Sequence, residues 1–435
     1  MNRQNSNRTP LCRALVCRAL VCRALAGASC IAMSCIAILI SVIAFSTTAN
    51  ADNNWSQFRG SKGTGVAESS GNLPTEWDAE KNVAWKAELP GRGPASPIVV
   101  GDRVFVTCSG GAKQERLYVL AFSADSGKEI WRREFWATGR TLCHPTSGNA
   151  APTPASDGKH IYAFFSSNDL ACLDLDGNLK WYRGLASDYP KAGNDIGMAS
   201  SPMVVDDTVV VLVENQGDSF AAGINSKTGE NRWRIPRPAD ASWTTPAVLR
   251  DESNKPIVLL QNSEGVTAHD LLSGEELWRH EGSCDGISSP TPVGKRVYLP
   301  GDGLTAIEVP EGDDDPEVVW SSSQLSTGAS SVVVNGDRIY TLNSAGVLNC
   351  GDSSDGKVLW KLRLNIKRAW ATPALAGDLI YCVDNEGETA VVQCGDEAGE
   401  IVSKNAVGEP IQASPAIAGD AVYLRSDAHL WKIRS

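Results

Sequence analysis

The chain has 435 residues, 42% hydrophobic and 21% charged, which excludes a disordered or low-complexity protein. Forty Lys and Arg against 51 Asp and Glu give a net charge of −11. So acidic a chain lacks the basic face that nucleic acid or an anionic membrane surface requires.

The first element is a leader. Arg3, Arg8, Arg13, Arg18 and Arg23 precede an uncharged run from Ala24 to Phe45, and Ala49-Asn50-Ala51 follows it. A basic region, an apolar region and an A-x-A site form the secretory signal pattern. Residues 1–51 are therefore expected to be a signal peptide cut before Asp52. The alternative is an uncleaved N-terminal membrane anchor, because an apolar helix of that length reaches about 33 Å. The expected product is a periplasmic or extracellular monomer with no integral membrane span. Beyond the leader seven cysteines remain, Cys108, Cys143, Cys172, Cys284, Cys350, Cys382 and Cys394, with no C-x-x-C and no vicinal pair. Zinc ribbons and thioredoxin-like redox motifs find no support.

The rest reads as one unit written eight times. A Ser-Pro or Thr-Pro opens a short apolar strand, and a Gly/Asp turn leads to a second, as in Ser96-Pro97-Ile98-Val99-Val100-Gly101-Asp102-Arg103-Val104-Phe105-Val106. Further copies start at Thr153-Pro154, Ser201-Pro202, Thr245-Pro246, Thr291-Pro292, Ser330-Ser331 (without the proline), Thr372-Pro373 and Ser414-Pro415. A third and fourth strand follow, joined by an acidic Gly turn and closed by Trp131, Trp181, Trp233, Trp278, Trp320 or Trp360; the seventh copy has Ile401-Val402 instead. The eighth copy has only three strands. Its fourth lies at the other end of the chain, in Asn82-Val83-Ala84-Trp85-Lys86-Ala87-Glu88. Short period-2 strands at this spacing predict an all-β, eight-bladed β-propeller of four-stranded antiparallel blades, its ring closed by an N-terminal strand. Residues 52–95 form the N-terminal segment with that strand, and 96–435 carry the blades. The recurring tryptophans, Trp85 included, are expected to pack between blades.

These units resemble the pyrroloquinoline-quinone (PQQ)-like propeller repeat. Its pattern, roughly A-x-D-x-x-[ST]-G-x-x-x-W, is met by Ala124-Asp125-Ser126-Gly127…Trp131, by Asn225-Ser226-Lys227-Thr228-Gly229…Trp233 and by Ala268-His269-Asp270-Leu271-Leu272-Ser273-Gly274…Trp278. The likeness runs from about Trp55 to Ser435. Quinoprotein alcohol dehydrogenases share the repeat with non-catalytic exported propellers of the BamB-like kind, so it is specific for fold and poor for function.

Function is sought on the loops that break the pattern. The long loops 138–149 and 187–198 carry His144, Asn194 and Asp195, and Glu214 and Asp218 lie in the segment 214–218. Trp243 and Trp370 stand just before Thr-Pro, with Arg368 beside the latter, although blade packing already has its own tryptophans. One face is expected to gather these eight residues, as a platform for a protein or small-molecule ligand or as a plug of the channel. Cys143-His144 sets a thiol beside an imidazole, but sequence neighbours rarely face each other. Pairing of Cys143 with Cys284 would have to span the funnel. Cys172, Cys350 and Cys394 are read as equivalent third-strand positions holding small buried hydrophobes.

No catalytic triad, HExxH or dense metal-ligand set is present. The reading is an exported, non-catalytic binding or interaction scaffold acting through its loop face, without cofactor or metal. The alternative is a PQQ-dependent, calcium-assisted dehydrogenase of alcohols or sugars. There the resemblance implies a quinone over a tryptophan, for which Trp243 could serve, beneath a vicinal disulfide that this chain lacks. Glu214 and Asp218 are only compositional candidates for the Ca²⁺ ligands.

Overall fold

Each sheet follows from a sequence unit. In the first blade Ile98–Val100, Arg103–Gly110, Arg116–Ser123 and Glu129–Trp136 pair antiparallel in that order. Six further blades follow, spanning 155–184, 203–236, 247–281, 291–322, 333–363 and 374–406. The last blade takes Ala416–Ala418, Ala421–Arg425 and His429–Arg434 from the C-terminus, and Val83–Glu88 pairs antiparallel on its outer side. The closing strand therefore lies where the sequence places it, and no sheet edge is left at the seam. The computed structural model describes residues 54–68, 71–193, 196–309 and 314–435. The leader, Asn194 and Asp195 lie outside the described residues. Among the described residues the one helix is the single turn Leu185–Asp188, and no helix is long and apolar enough to cross a membrane.

The repeat motif has a mechanical explanation. In every blade the register between third and fourth strands slips by one residue, as between Gly223 and Ile224 or Ala268 and His269. The slip is a β-bulge that re-aims the next side chain, and in every blade but the seventh that side chain is the blade tryptophan; there it is Ser403. Within blades one to six the tryptophan's partner across the strand is small: Ala121, Cys172, Gly223, Ala268, Ala306 or Cys350; Trp85 faces Lys432. A Cβ added at Gly223 would fall 2.3 Å from the Trp233 ring. The indole then leans onto the turn glycine of the next blade. Gly127, Gly177, Gly229, Gly274 and Gly356 all have positive φ, and a Cβ on any of them would come within 2.4–2.8 Å of the preceding blade's tryptophan. The indole N–H donates to a carbonyl of that same turn: Trp85 to Ala124 (3.1 Å), Trp131 to Leu175 (2.8 Å), Trp181 to Ser226 (2.8 Å), Trp233 to Leu271 (2.7 Å), Trp320 to Ser353 (3.1 Å) and Trp360 to Gly395 (2.9 Å). The glycine and the tryptophan of the motif are thus the two halves of one contact between neighbouring blades.

Two sequence assignments need correction. Cys394 is not equivalent to Cys172 and Cys350. Those two face their blade's tryptophan, whereas the matching pair of the seventh blade is Val391 facing Ser403, and Cys394 sits at the turn opposite Gly399. In the fifth copy the opening pair is Ser289-Pro290, not Thr291-Pro292, because Thr291 already lies in the innermost strand Thr291–Val293. The turn glycine gives the register: Gly294 follows Pro290 by four residues, as Gly101 follows Pro97.

Candidate functional site: an uncharged funnel on the propeller axis

The corrected register exposes a belt. Ser96, Thr153, Ser201, Thr245, Ser289, Ser331, Thr372 and Ser414 stand at the head of the innermost strands and are all buried. The backbone N–H of each donates to the hydroxyl of the next blade's residue, at 2.9–3.1 Å, in seven of the eight steps around the ring. At the eighth, between last blade and first, buried Arg425 reaches across and donates to the carbonyls of Ala95 (2.8 Å) and Thr107 (3.0 Å). Seven of the belt hydroxyls thus each satisfy a buried N–H that would otherwise lack a partner.

Above the belt opens a cavity of about 390 Å³, lined by all eight belt residues and by His144, Trp243, Trp370, Met198, Ile287 and Gln412 among others. Phe58, from the N-terminal segment, lines it as well. Trp243 is held at two points. Its backbone N–H donates to Gly286 O (2.7 Å) and its indole N–H to Gly197 O (2.8 Å), so one residue links the loops on either side of its own. Trp370 is 39% exposed, its backbone N–H donates to Asn385 Oδ1 at 3.2 Å, and the Arg368 guanidinium lies 4.8 Å from its ring centroid. His144 Nδ1 bonds the Thr146 hydroxyl at 2.8 Å.

The structure therefore brings Trp243, Trp370 and His144 to one cavity, with Arg368 stacked on Trp370 and exposed. It does not bring Glu214 and Asp218 there. Glu214 is 1% exposed and forms a buried ion pair with Arg237 at 2.6 Å; burial pushes its carboxyl above the usual range, against the pull of that arginine. Asp218 is a surface residue 3.4 Å from Arg234. Both were read as loop carboxylates because the segment is polar, but Glu214 continues a buried second strand and its side chain serves the blade. Cys143 and His144 do not meet: Gln114 Nε2 donates to Cys143 Sγ at 3.3 Å, and burial raises the thiol pKa. All seven described cysteines are free thiols, Cys284 among them, its pKa pushed up to about 12 by burial. Sequence reasoning missed the belt, Phe58 and Arg425. The signal for Arg425 was available: at its position the other blades carry Thr107, Phe164, Leu212, Gln261, Pro300, Leu342 or Val383, and a lone charge in an uncharged column asks for a partner.

No carboxylate and no Lys or Arg is among the described residues lining the funnel. PQQ carries three carboxylates, and a bound Ca²⁺ needs oxygen ligands with negative charge. The described residues lining the funnel do not fit that pair. Among the described residues no group of three or more His, Cys, Asp or Glu is placed to hold a metal ion.

The repeats match the family model described as outer membrane protein assembly factor BamB over residues 53–248, 117–283, 198–314, 222–364 and 312–393, well over half of the chain. The chain belongs to this family. The BamB of Burkholderia pseudomallei is 24% identical over 369 residues, covering 80% of this chain and 87% of that protein. Among solved structures, BamB from Moraxella catarrhalis superposes with a TM-score of 0.60 at 16% identity, covering 81% of this chain and 97% of that one. The quinohemoprotein alcohol dehydrogenase of Comamonas testosteroni gives 0.64 at 13% identity, covering 88% and 81%. Both structural likenesses speak for the fold alone. Membership supports a BamB-like binding and interaction propeller.

Proposed function

We propose that the chain is an exported interaction propeller whose funnel face receives an uncharged segment of a protein partner, without quinone or metal. The observation that carries this is the pair Trp243 and Trp370. Neither serves the inter-blade contact that occupies the repeated tryptophans, and both line an uncharged cavity of about 390 Å³. Aromatic rings beside hydroxyls and an imidazole suit a neutral ligand that is part apolar and part hydrogen-bonding. The relatives' name, outer membrane protein assembly factor, supports a protein as the partner and export as the route. The leader supports export as well.

The test places a photo-crosslinking residue at position 370 in cells, with position 179 as control, since Leu179 is 49% exposed on an outer strand away from the funnel. A discrete adduct from 370 that is absent from 179 is expected. Equal adducts, or none from 370, would overturn the reading. Calorimetric titration with PQQ, with and without Ca²⁺, is expected to show no saturation. Calcium-dependent one-to-one binding would restore the dehydrogenase instead.

A further inference from the structure

The N-terminal segment closes the opposite end of the axial channel. Trp55 bridges Val99 of the first blade, Ser56 O accepts from the Ser156 N–H of the second, and Val66–Ala67 pair parallel with Leu375–Ala376 of the seventh. Between them, residues 57–64 cap a cavity of about 440 Å³ bounded by inner-strand residues such as Met203, Ala247 and Val293. Phe58 lines both this cavity and the funnel, so it marks the division between them.

The two compartments differ in charge. The basal cavity is lined by Arg59, Lys62 and Arg250 and by no Asp or Glu, in a chain whose net charge is −11. Arg59 is 3% exposed. Its Nη1 donates to Thr291 Oγ1 (2.7 Å) and its Nη2 to Pro290 O (2.8 Å), and its Nε has no partner. No described carboxylate lies within ion-pair distance, and burial pulls the guanidinium pKa down to about 9. A buried charge held only by neutral acceptors is costly, and a counter-charge in the adjoining cavity would offset that cost. Lys62 pairs with Glu68 (2.6 Å), and Arg250 pairs with Asp206 (3.4 Å) and donates to Asn254 O (2.9 Å). Both side chains are exposed, at 69% and 39%, so such pairs are weak and can be exchanged for a ligand.

We propose that this basal cavity is an anion site for a phosphate group, as inorganic phosphate or a phosphate monoester, with Arg59 supplying the buried charge and Lys62 and Arg250 the contacts at the mouth. The site is separate from the funnel and does not rest on the function proposed for it.

The test is calorimetric titration of the purified chain with inorganic phosphate and with glycerol 3-phosphate at constant ionic strength, with chloride as control. Saturable one-to-one binding is expected. In Lys62→Ala/Arg250→Ala the affinity should fall about tenfold or more while the melting curve is unchanged. Should that variant fail to fold, Arg250→Glu alone reads the same loss. Phosphate affinity equal in wild type and variant, or no saturation by the wild type, overturns the proposal. Co-sedimentation with vesicles containing phosphatidic acid, whose headgroup is a phosphate monoester, separates the sources. Pelleting that depends on Lys62 and Arg250 points to a lipid headgroup, and phosphate binding without pelleting points to a soluble ligand.

Discussion

The tryptophans at the periphery and those at the axis do different work, and the difference lies in repetition. Around the rim, Trp131, Trp181, Trp233 and their equivalents recur with a bulge before them, a small residue opposite and a glycine in the next blade to receive them. Those features are needed from one blade to the next, so the sequence repeats them. At the axis, Trp243 and Trp370 occur once each, answer to no repeated partner and line the funnel. In a repeat protein periodic aromatics report packing, and aperiodic ones are where specific binding should be sought.

The largest break in this comparison comes from removing the seam. A chain lacking Asp52 to Leu89 should lose its cooperative melt, because the last blade loses its outer strand and the axial plug goes with it; an unchanged transition would refute the closure as a stabilising device. Next in size, Trp233→Ala should cost about 3–5 kcal/mol as a buried aromatic truncation, whereas Trp243→Ala should cost about 1 kcal/mol, the net worth of its lost hydrogen bond. Urea melts of the two variants measure the contrast, and equal losses would make Trp243 a packing residue like the others. Gly229→Ala should cost about 1–3 kcal/mol, since it strains a positive φ and presses on Trp181.

Acid gives a smaller effect that reads the motif's aspartate. The Lys255 ammonium, which bonds Asp270, and the N–H groups of Leu272 and Ser273 hold its carboxyl at about 2, below the ordinary value. A depressed pKa stabilises the fold above the unfolded value near 4 and ceases to do so as pH falls through about 2. Stability should therefore decline between about pH 4 and pH 2, and Asp270→Asn should flatten that part of the profile. Smallest of all, Trp370→Ala should change the melt by less than about 0.5 kcal/mol yet remove the crosslinks made by a photo-crosslinking residue placed at position 287, where Ile287 lines the same funnel.

The ring, the blade count and the closing strand were legible because each rests on a local rule: alternation, a turn glycine, a tryptophan at a fixed offset. The funnel was legible only in part. Trp243, Trp370 and His144 could be placed because they interrupt a pattern. Glu214 and Asp218 could not, because a polar segment does not say whether its carboxylates face solvent, a ligand or a buried arginine across a strand. The belt was obscured in one copy by the run Ser288-Ser289-Pro290-Thr291-Pro292, which offers two registers, and only counting back from Gly294 selects one. Arg59 and Phe58 lay outside every repeat, where periodicity has nothing to say.

The pairing of Val83–Glu88 with His429–Arg434 also sets a clock. At about 5–20 residues per second of synthesis, the first strand waits roughly 20–70 s for its mate. Throughout that interval the earlier blades cannot form a closed ring, and an open sheet edge is on offer to any passing strand. Whatever escorts this chain must cover that edge until its last few residues arrive.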